Sequence, residues 1–218
     1  RGVANGFQAL EPSIYTYLVD AHWSPQAHYS HVNLADPALG IRWPIPLDKA
    51  EISAADRTHP LLTDATAVPP GKILITGADG QVGRALATQF PDATLCNHSD
   101  FDLTADYQTL EDAVNWDEYA VVINAAAYTA VDHAEVDRAQ CWAVNAAGPA
   151  KLARLATNHD LTVVHFSTDY VFSGDTPGDQ DENTPIAPSN FYGASKAAGD
   201  TAIALTTKHY IVRTSWVV

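Results

Sequence analysis

The chain has 218 residues, enough for one medium domain or for a complete domain with part of another. Lysine and arginine number 12 against 26 acidic residues, which gives a net charge of −14. Such an acidic surface argues against nucleic acid or anionic membranes as partners. No long apolar run or signal peptide is visible, and Cys96 and Cys141 have neither metal-site nor redox-motif spacing. We therefore expect a cytoplasmic protein.

Residues 1–62 form the first predicted unit, which is β-rich. The run "SIYTYLVDA" places aromatic and apolar residues on one side at period two, as in a half-buried strand. The run "DPALGIRWPIP" is punctuated by proline and glycine like the loops between short strands. A short helix is predicted within residues 47–62. Residues 63–70 are predicted to be a linker.

The pattern changes at residue 71 to strands that alternate with helices. The predicted strands are "KILIT", "ATLCNH", "AVVINAA", "LTVVHFS" and "HYIVRTSWV", and the predicted helices are "QVGRALATQF", "DRAQCWAVNAAGPAKLARLATNH" and the stretch from Phe191 to Thr207. This alternation predicts βαβ units, and hence an α/β fold with a Rossmann-type, doubly wound parallel sheet over residues 71–218. We expect the chain to end at the sixth strand of that sheet.

A glycine-rich turn joins the first of these strands to the first helix. Gly77, Gly80 and Gly83 are spaced three and three. Gly77 suits a tight turn, Gly80 gives backbone access to a pyrophosphate, and Gly83 allows close packing of helix on strand. The following helix points its unpaired amides at the anion. The pattern predicts a dinucleotide site, and the lysine–serine ending of a nucleotide triphosphatase loop is missing.

The second strand bears on which dinucleotide is bound. It ends in Asn97 and His98, where NAD-binding proteins usually carry an aspartate that holds the adenosine ribose. The absence of that carboxylate leaves room for a 2′-phosphate. We therefore predict NADPH as the cofactor, with NADH as the alternative.

Tyr192 and Lys196 lie four residues apart in "SNFYGASKAAGD", so a helix would present them on one face. A phenol with an ordinary pKa of about 10 transfers protons poorly at neutral pH. An adjacent ammonium is expected to lower that pKa, and the phenol could then protonate a carbonyl oxygen while hydride reaches the carbon. Taken alone, such a pair is more often a solvated surface pair.

A second polar cluster follows the strand "LTVVHFS". It consists of Ser167, Thr168, Asp169 and Tyr170, at the carboxyl edge of the predicted sheet, where α/β proteins bind ligands. A hydroxyl there can hold a substrate carbonyl in line with the tyrosine. Thr168 alone could simply cap the strand end, but together with the glycine turn and Tyr192 the pattern favours catalysis.

Residues 71–218 resemble the extended short-chain dehydrogenase/reductase family through "TGADGQVG", "NAAAYTAVDHAE", "AVNAAG", "STDYVFSG" and "DENTPIAPSNFYGASK". The resemblance is strongest to sugar-nucleotide reductases, and it implies NADPH-dependent reduction of the C4 ketone of a dTDP-sugar, dTDP-4-dehydro-L-rhamnose. The alternatives are a non-catalytic NADP-binding regulatory subunit, or a sugar-nucleotide epimerase or dehydratase of the same fold. Dehydratases typically need acidic partners beside the threonine, and Asp169 alone fits a reductase better.

The resemblance also implies a role for each matching position. The implied cofactor residues are Gly77, Gly80, Gln81, Val82 and Gly83 at the pyrophosphate, Asn97, Asp102 and Leu103 on the adenosine side, Ala126, Ala127, Tyr128 and Thr129 toward the nicotinamide ribose, and Lys196 with Tyr192 at that ribose. The implied catalytic residues are Thr168, Tyr192 and Lys196, and the implied substrate neighbours are Val131, Thr168, Asp169, Tyr170 and Trp216.

The first unit resembles the closing third of a jelly-roll (cupin-type) sugar-nucleotide 3,5-epimerase, which implies a fusion of two consecutive steps. The family's loop histidine is Asn5 here, and its tyrosine pair is His22 and Trp23, which argues against epimerase activity. Because the chain lacks methionine and starts at Arg1, we expect it to be cut at the front. We also expect the small substrate domain to lie beyond Val218.

Some members of the reductase family dimerise through magnesium held by a glutamate just after the glycine turn. This chain has Arg84 and Ala85 there, so no such metal is expected, and a homodimer stays open. His22, His28 and His31 follow no standard metal-ligand spacing. We therefore predict no metal site.

Overall fold

The structure is a computed structural model that describes residues 8–11, 30–65, 71–175 and 178–217. The chain divides into two compact units, Arg1–Pro69 and Pro70–Val218. No helix among the described residues is long and apolar enough to cross a membrane.

The described part of the first unit contains turns and two short helices, and no strand. A 3₁₀ helix spans Pro37–Leu39 and helix α1 spans Ala54–Thr58, so the helix predicted within residues 47–62 is confirmed. The hydroxyl of Ser53 accepts a hydrogen bond from the backbone N–H of Asp56 at 3.1 Å and so caps α1. The strand predicted in "SIYTYLVDA" lies outside the described residues.

Asp36 ties distant parts of the first unit together. Its buried carboxylate accepts hydrogen bonds from the backbone N–H groups of Ala38 at 2.8 Å and Leu62 at 2.5 Å. Two charge-assisted hydrogen bonds compensate for the loss of solvation that burial imposes on this group.

The second unit contains a parallel sheet of five strands. They are β1 Lys72–Thr76, β2 Thr94–Cys96, β3 Tyr119–Asn124, β4 Thr162–Thr168 and β5 His209–Thr214. Their order is β2-β1-β3-β4-β5, and all neighbouring pairs are parallel. The predicted Rossmann-type α/β fold is confirmed.

The helices of this unit are α2 Gln81–Gln89, α3 Tyr107–Glu111, α4 Arg138–Trp142, α5 Gly148–Asn158 and α6 Phe191–Ile203. A π-helical turn, Ala143–Ala147, joins α4 to α5. Helix α6 ends before the predicted Thr207, because the backbone N–H and the hydroxyl of Thr206 both donate to the carbonyl of Ile203, at 3.0 and 2.9 Å. Three short 3₁₀ helices span Trp116–Glu118, His133–Glu135 and Asp169–Val171.

The core lies between the sheet and its helices. Leu74, Val122 and Val163 occupy adjacent strands and form one buried cluster with Leu152 and Leu155 of α5. Full burial of each such side chain contributes roughly 1.5–3 kcal/mol. Because successive strand residues point to opposite faces, the intervening positions pack against the other layer.

The strand that ends at Thr214 is the fifth of the described sheet, so the expectation of a sixth strand is wrong. Residues 97–118, between β2 and β3, form turns and α3. There Asn97 accepts from the backbone N–H of Ser99 and Asp102 accepts from that of Thr104, both at 2.8 Å. Such side-chain bonds offer the backbone an alternative to strand pairing.

The strand order reverses between β1 and β3, because β2 lies on the outer side of β1. At their carboxyl ends Thr76 pairs with Asn124, and its hydroxyl donates to the Asn124 side-chain carbonyl at 2.7 Å. In open α/β sheets the crevice beyond such a reversal is where ligands bind.

Candidate active site

The glycine turn lies at this reversal, between β1 and α2. Gly77 has a φ of +70°, which glycine adopts without strain. A Cβ on Gly77 would lie 2.5 Å from the backbone nitrogen of Ala126, after β3. A Cβ on Gly83 would lie 2.2 Å from the carbonyl oxygen of Gly77. The turn, the helix and the loop after β3 are therefore packed against one another with no room for a side chain.

The first turn of α2 begins directly after the glycine turn. Gly80 is its N-cap and makes no side-chain capping bond, so the amide groups of Gln81 and Val82 are not capped by a side chain. A Cβ on Gly80 would come no closer than 3.3 Å to the nearest atom, the carbonyl oxygen of Gly77. Unpaired amides at the start of a helix and an uncrowded approach suit an anion such as a pyrophosphate.

The other predicted cofactor residues follow the carboxyl ends of β2 and β3. Asn97 directly follows β2 and bonds Ser99, and Asp102 bonds Thr104, so both side chains organise turns. Partial burial raises the pKa of Asp102, but hydrogen bonds from Thr104 outweigh it and the net pKa is lowered. The Leu103 side chain lies in the core against Gly148.

The loop after β3 carries the remaining predicted cofactor positions, Ala126, Ala127, Tyr128 and Thr129. The backbone N–H of Ala126 donates to the side chain of Asn124 at 3.2 Å, which anchors the start of the loop. The phenol of Tyr128 contacts the imidazole of His133, with its oxygen 2.6 Å from Nδ1. This loop thus lies beside the glycine turn, as a shared cofactor site requires.

Thr168 and Tyr192 meet at the carboxyl edge, where β4 and α6 come together. Asn190 caps α6 by accepting from the backbone N–H of Gly193 at 2.7 Å, which fixes Tyr192 in the first turn. A Cβ on Gly193 would lie 2.2 Å from the carbonyl oxygen of Tyr170, so α6 is pressed onto the segment after β4. The rings of Tyr170 and Tyr192 pack edge to face at 5.7 Å.

The electrostatics of Tyr192 differ from the sequence-based expectation. Burial raises the pKa of its phenol, and the neighbouring Thr168 hydroxyl opposes this rise only in part. The expected lowering of the pKa by Lys196 is wrong for this arrangement, because the ammonium of Lys196 donates to the carbonyl of Phe166 at 2.6 Å. Tyr192 is therefore held in its protonated form.

Lys196 lies in the second turn of α6 and is almost completely buried, with 2% of its surface exposed. Burial lowers the pKa of its ammonium to about 8, and the negative charge of Asp200 counteracts this effect. Lys196 and Tyr192 therefore lie on one helix as predicted, but Lys196 belongs to the interior and not to a solvated surface.

Asn145 is a site residue that the sequence reasoning missed. It lies in the π-helical turn, buried, and its side chain exchanges hydrogen bonds with the backbone of Tyr128: it accepts at 2.8 Å and donates at 3.0 Å. It also donates to the hydroxyl of Ser195 at 3.1 Å. Asn145 thus joins the loop after β3 to α6. The sequence did offer one indication: Asn145 is a polar residue at a position of the predicted helix where the pattern calls for a buried apolar residue.

The predicted substrate neighbours divide into two groups. Val131 packs against the small cluster that contains Tyr192, and Asp169 accepts from the Ser215 hydroxyl at 2.8 Å and from the Thr168 hydroxyl at 3.1 Å. Tyr170 contacts Tyr192, as described above. Trp216, by contrast, is 89% exposed with a φ of +51°, so the structure does not bring it into this cluster.

A Rossmann-type sheet with a glycine turn at the strand-order reversal, and a tyrosine and lysine on the helix beside it, defines the class of extended short-chain dehydrogenase/reductases. A family model described as "RmlD substrate binding domain" matches residues 71–218, and the chain belongs to this family. A second model, "dTDP-4-dehydrorhamnose 3,5-epimerase", matches residues 1–64.

Known proteins of similar sequence and structure agree with this assignment. A dTDP-4-dehydrorhamnose reductase of Mycolicibacterium smegmatis is 45% identical over 157 residues, which cover 67% of this chain and 46% of that protein. The crystal structure of a dTDP-4-dehydrorhamnose reductase from Clostridium acetobutylicum has a TM-score of 0.65 at 38% identity, covering 67% of this chain and 54% of that one. One from Bacillus anthracis, in complex with NADP, has a TM-score of 0.62 at 34% identity, with 70% and 56% covered. The chain spans about half the length of the curated relatives it matches.

Proposed function

We propose that the protein is an NADPH-dependent reductase that converts the C4 ketone of dTDP-4-dehydro-L-rhamnose to the alcohol of dTDP-L-rhamnose. The observation that carries the proposal is that Thr168 and protonated Tyr192 meet at the carboxyl edge of the sheet. Tyr192 lies on α6, the same helix that carries the buried Lys196. The name of the Mycolicibacterium smegmatis relative supports the choice of substrate.

The residues present fit a dinucleotide. The positions where a Cβ would collide, Gly77 and Gly83, hold the turn and helix close, while Gly80 leaves the approach to the α2 amides open. The anion would therefore meet backbone N–H groups at a helix start and not side-chain carboxylates. The complex of the Bacillus anthracis reductase with NADP supports the choice of cofactor.

The chemistry that this chain contributes is proton donation and positioning. Bound NADPH supplies the hydride that adds to C4. Tyr192, held protonated by burial, gives its proton to the former carbonyl oxygen, so that the product is an alcohol. Thr168 is placed to hold that oxygen by a hydrogen bond, and Lys196 carries a positive charge behind the tyrosine.

The direct test is oxidation of NADPH by the full-length protein in the presence of dTDP-4-dehydro-L-rhamnose. We expect turnover within the usual enzymatic range of about 1–10³ s⁻¹, and none with dTDP-glucose, which has no C4 ketone to reduce. Tight NADPH binding without turnover of the keto sugar would instead favour a regulatory, cofactor-binding subunit.

Cofactor preference provides a second prediction. The side chain of Asn97 accepts hydrogen bonds from the backbone N–H groups of Ser99 and Asp100, at 2.8 and 3.2 Å. An Asn97→Asp variant keeps this acceptor but adds a negative charge where a 2′-phosphate would lie. We expect kcat/KM for NADPH to fall relative to that for NADH by on the order of tenfold. The measurement is a steady-state comparison of the two cofactors.

The matched control for this change is Asn158→Asp. Asn158 is exposed at the end of α5, away from the carboxyl edge of the sheet, and its side chain donates to the Tyr107 hydroxyl at 2.8 Å. The control should leave the NADPH to NADH ratio unchanged. If the Asn97→Asp variant had the same ratio of kcat/KM for NADPH to kcat/KM for NADH as the native protein, Asn97 would not lie near the 2′-position.

We further propose that residues 1–62 are an epimerase-derived segment, residues 63–70 a linker and residues 71–218 the reductase domain. The departures from the epimerase pattern at Asn5, His22 and Trp23 lie outside the described residues, and they remain the reason to expect no epimerase activity. The buried free thiols of Cys96 and Cys141 support a cytoplasmic location, and a homodimer stays a prediction.

A further inference from the structure

A buried polar cluster lies beneath Lys196, where α6 packs against β4 and β5. Asp200, one turn after Lys196 on α6, is 1% exposed. Its Oδ2 accepts a hydrogen bond from Nε of Arg213 on β5 at 3.2 Å. Its Oδ1 lies 3.7 Å from Nε2 of His165 on β4. A carboxylate, an ammonium, a guanidinium and an imidazole therefore share one water-poor region.

The protonation of His165 follows from its neighbour Asn124. The Asn124 side-chain oxygen accepts from the Thr76 hydroxyl at 2.7 Å and from the backbone N–H of Ala126 at 3.2 Å, which fixes the orientation of the amide. Its nitrogen therefore faces Nδ1 of His165, 2.9 Å away, and can only donate. Nδ1 is then the acceptor, and the hydrogen of the neutral ring lies on Nε2, directed at Asp200.

His165 adds a dipole to the cluster and not a charge. Burial, and secondarily the positive charge of Lys196, lowers the pKa of His165 well below its usual value. The imidazole is therefore favoured in its neutral form. Its Nε2 lies 3.7 Å from Oδ1 of Asp200, beyond hydrogen-bond distance, so the imidazole acts on that carboxylate only through its dipole.

Asp200 is the counter-charge of this region. Burial raises the pKa of its carboxyl, and the Ser167 hydroxyl with the cations Arg213 and Lys196 opposes that rise only in part. Cys141 of α4, His165 of β4 and Arg213 of β5 also face the Lys196–Asp200 pair. Asp200 raises the pKa of Lys196 more than Cys141 does, so Asp200 is the main group that compensates for the buried ammonium.

We propose that Asp200, held by Arg213 and faced by the Nε2–H of His165, is a positioning residue that keeps Lys196 protonated and directed at the carbonyl of Phe166. This inference rests on the proposed reductase function only for its catalytic consequence. The charge relation between Asp200 and Lys196 is a property of the folded protein and can be measured without turnover.

The consequence for pH follows from the sign of the effect. Lys196 is charged below its pKa of about 8 and loses its charge as pH rises through that value. Without the Asp200 charge, less counteracts the lowering of the Lys196 pKa by burial. Lys196 should then lose its proton at a lower pH. In an Asp200→Asn variant the alkaline limb of the kcat profile should move to lower pH, with a loss on the order of tenfold at pH 8.

The experiment uses the full chain labelled with ¹³C at lysine Cε, titrated by NMR and assayed for NADPH oxidation over the same pH range. This chain has five lysines, and a Lys196→Arg variant assigns the Lys196 signal by its loss. In Asp200→Asn we expect that signal to titrate at lower pH, with little change in KM for the sugar. Asp200→Glu, which keeps the charge, should restore the native titration.

The matched control is Asp160→Asn, which removes a carboxylate from an exposed pair. Lys208 Nζ donates to Asp160 Oδ1 at 2.6 Å, and both side chains are about half exposed. This change should leave the Lys196 titration and the kcat profile unaltered. If Asp200→Asn does not fold, as judged by near-ultraviolet circular dichroism, Asp200→Ser removes the same charge with a smaller side chain.

An unchanged Lys196 titration in a folded Asp200→Asn or Asp200→Ser protein would overturn the inference, whatever the activity. If the Lys196 titration is shifted in the variant and the native protein does not reduce the sugar, the inference is supported and the proposed reductase function is rejected. A shifted titration together with a shifted kcat profile would support both.

Discussion

Replacement of Tyr192 by phenylalanine should lower kcat for reduction of the keto sugar by about 10²–10⁴-fold. The ring itself would remain packed against Tyr170 at the carboxyl edge, and only the hydroxyl that gives the proton would be lost. Because cofactor binding depends chiefly on the glycine turn, the dissociation constant for NADPH should stay within about twofold. Steady-state kinetics and a cofactor titration by fluorescence measure the two quantities separately.

Tyr210→Phe is the matched control for this change. Tyr210 lies on the edge strand β5 and is two-thirds exposed, so removal of its hydroxyl should alter neither kcat nor NADPH affinity. If Tyr192→Phe turned over the sugar at the native rate, another group would have to supply the proton. A loss of NADPH affinity equal to the loss of kcat would show that the phenol serves binding and not proton transfer.

Substitution of Gly83 by alanine should weaken NADPH binding through a collision at the centre of the cofactor turn. The new methyl group would lie 2.2 Å from the carbonyl oxygen of Gly77 and 2.7 Å from Cα of Ala78, distances that require the backbone to move. Overpacking of this kind costs about 1–3 kcal/mol. If this cost opposes NADPH binding, the dissociation constant for NADPH should rise by roughly 5- to 150-fold.

The measurement is a calorimetric titration of NADPH into each variant, with thermal unfolding followed in parallel. Gln89→Ala provides a control on the same helix, because Gln89 is exposed in the last position of α2 and points away from the turn. Native affinity and native melting temperature in Gly83→Ala would mean that α2 can move away from β1 without cost. The close packing would then not be needed for the cofactor site.

Many elements of the second unit were predictable from local sequence pattern. All five predicted strands became strands of the parallel sheet, and the central ones, β1, β3 and β4, are apolar runs because a strand covered on both faces is buried on both. The glycine spacing predicted the turn between β1 and α2, because the close approach of Gly83 to Gly77 and Ala78 is local to the turn and the helix it opens. The four-residue interval between Tyr192 and Lys196 likewise predicted one shared helical face.

Other features depend on contacts between distant segments. The expectation of a sixth strand was wrong, because residues 97–118, between β2 and β3, form turns and short helices in which Asn97 and Asp102 bond the local backbone. The π-helical turn was not predictable, since its residue Asn145 is held by Tyr128 and Ser195, 17 and 50 positions away.

The sequence by itself determined where the fold begins, the order of its strands along the chain, and the chemical groups available at the candidate site. Those properties depend on hydrophobic period and glycine sterics, which act over a few residues. Only the tertiary structure decided the environment of Lys196, because the carbonyl of Phe166 accepts from it and His165 and Arg213 contact its neighbour Asp200, all from strands distant along the chain. Burial by those strands raised the pKa of Tyr192 and lowered that of Lys196, and no local pattern encodes burial.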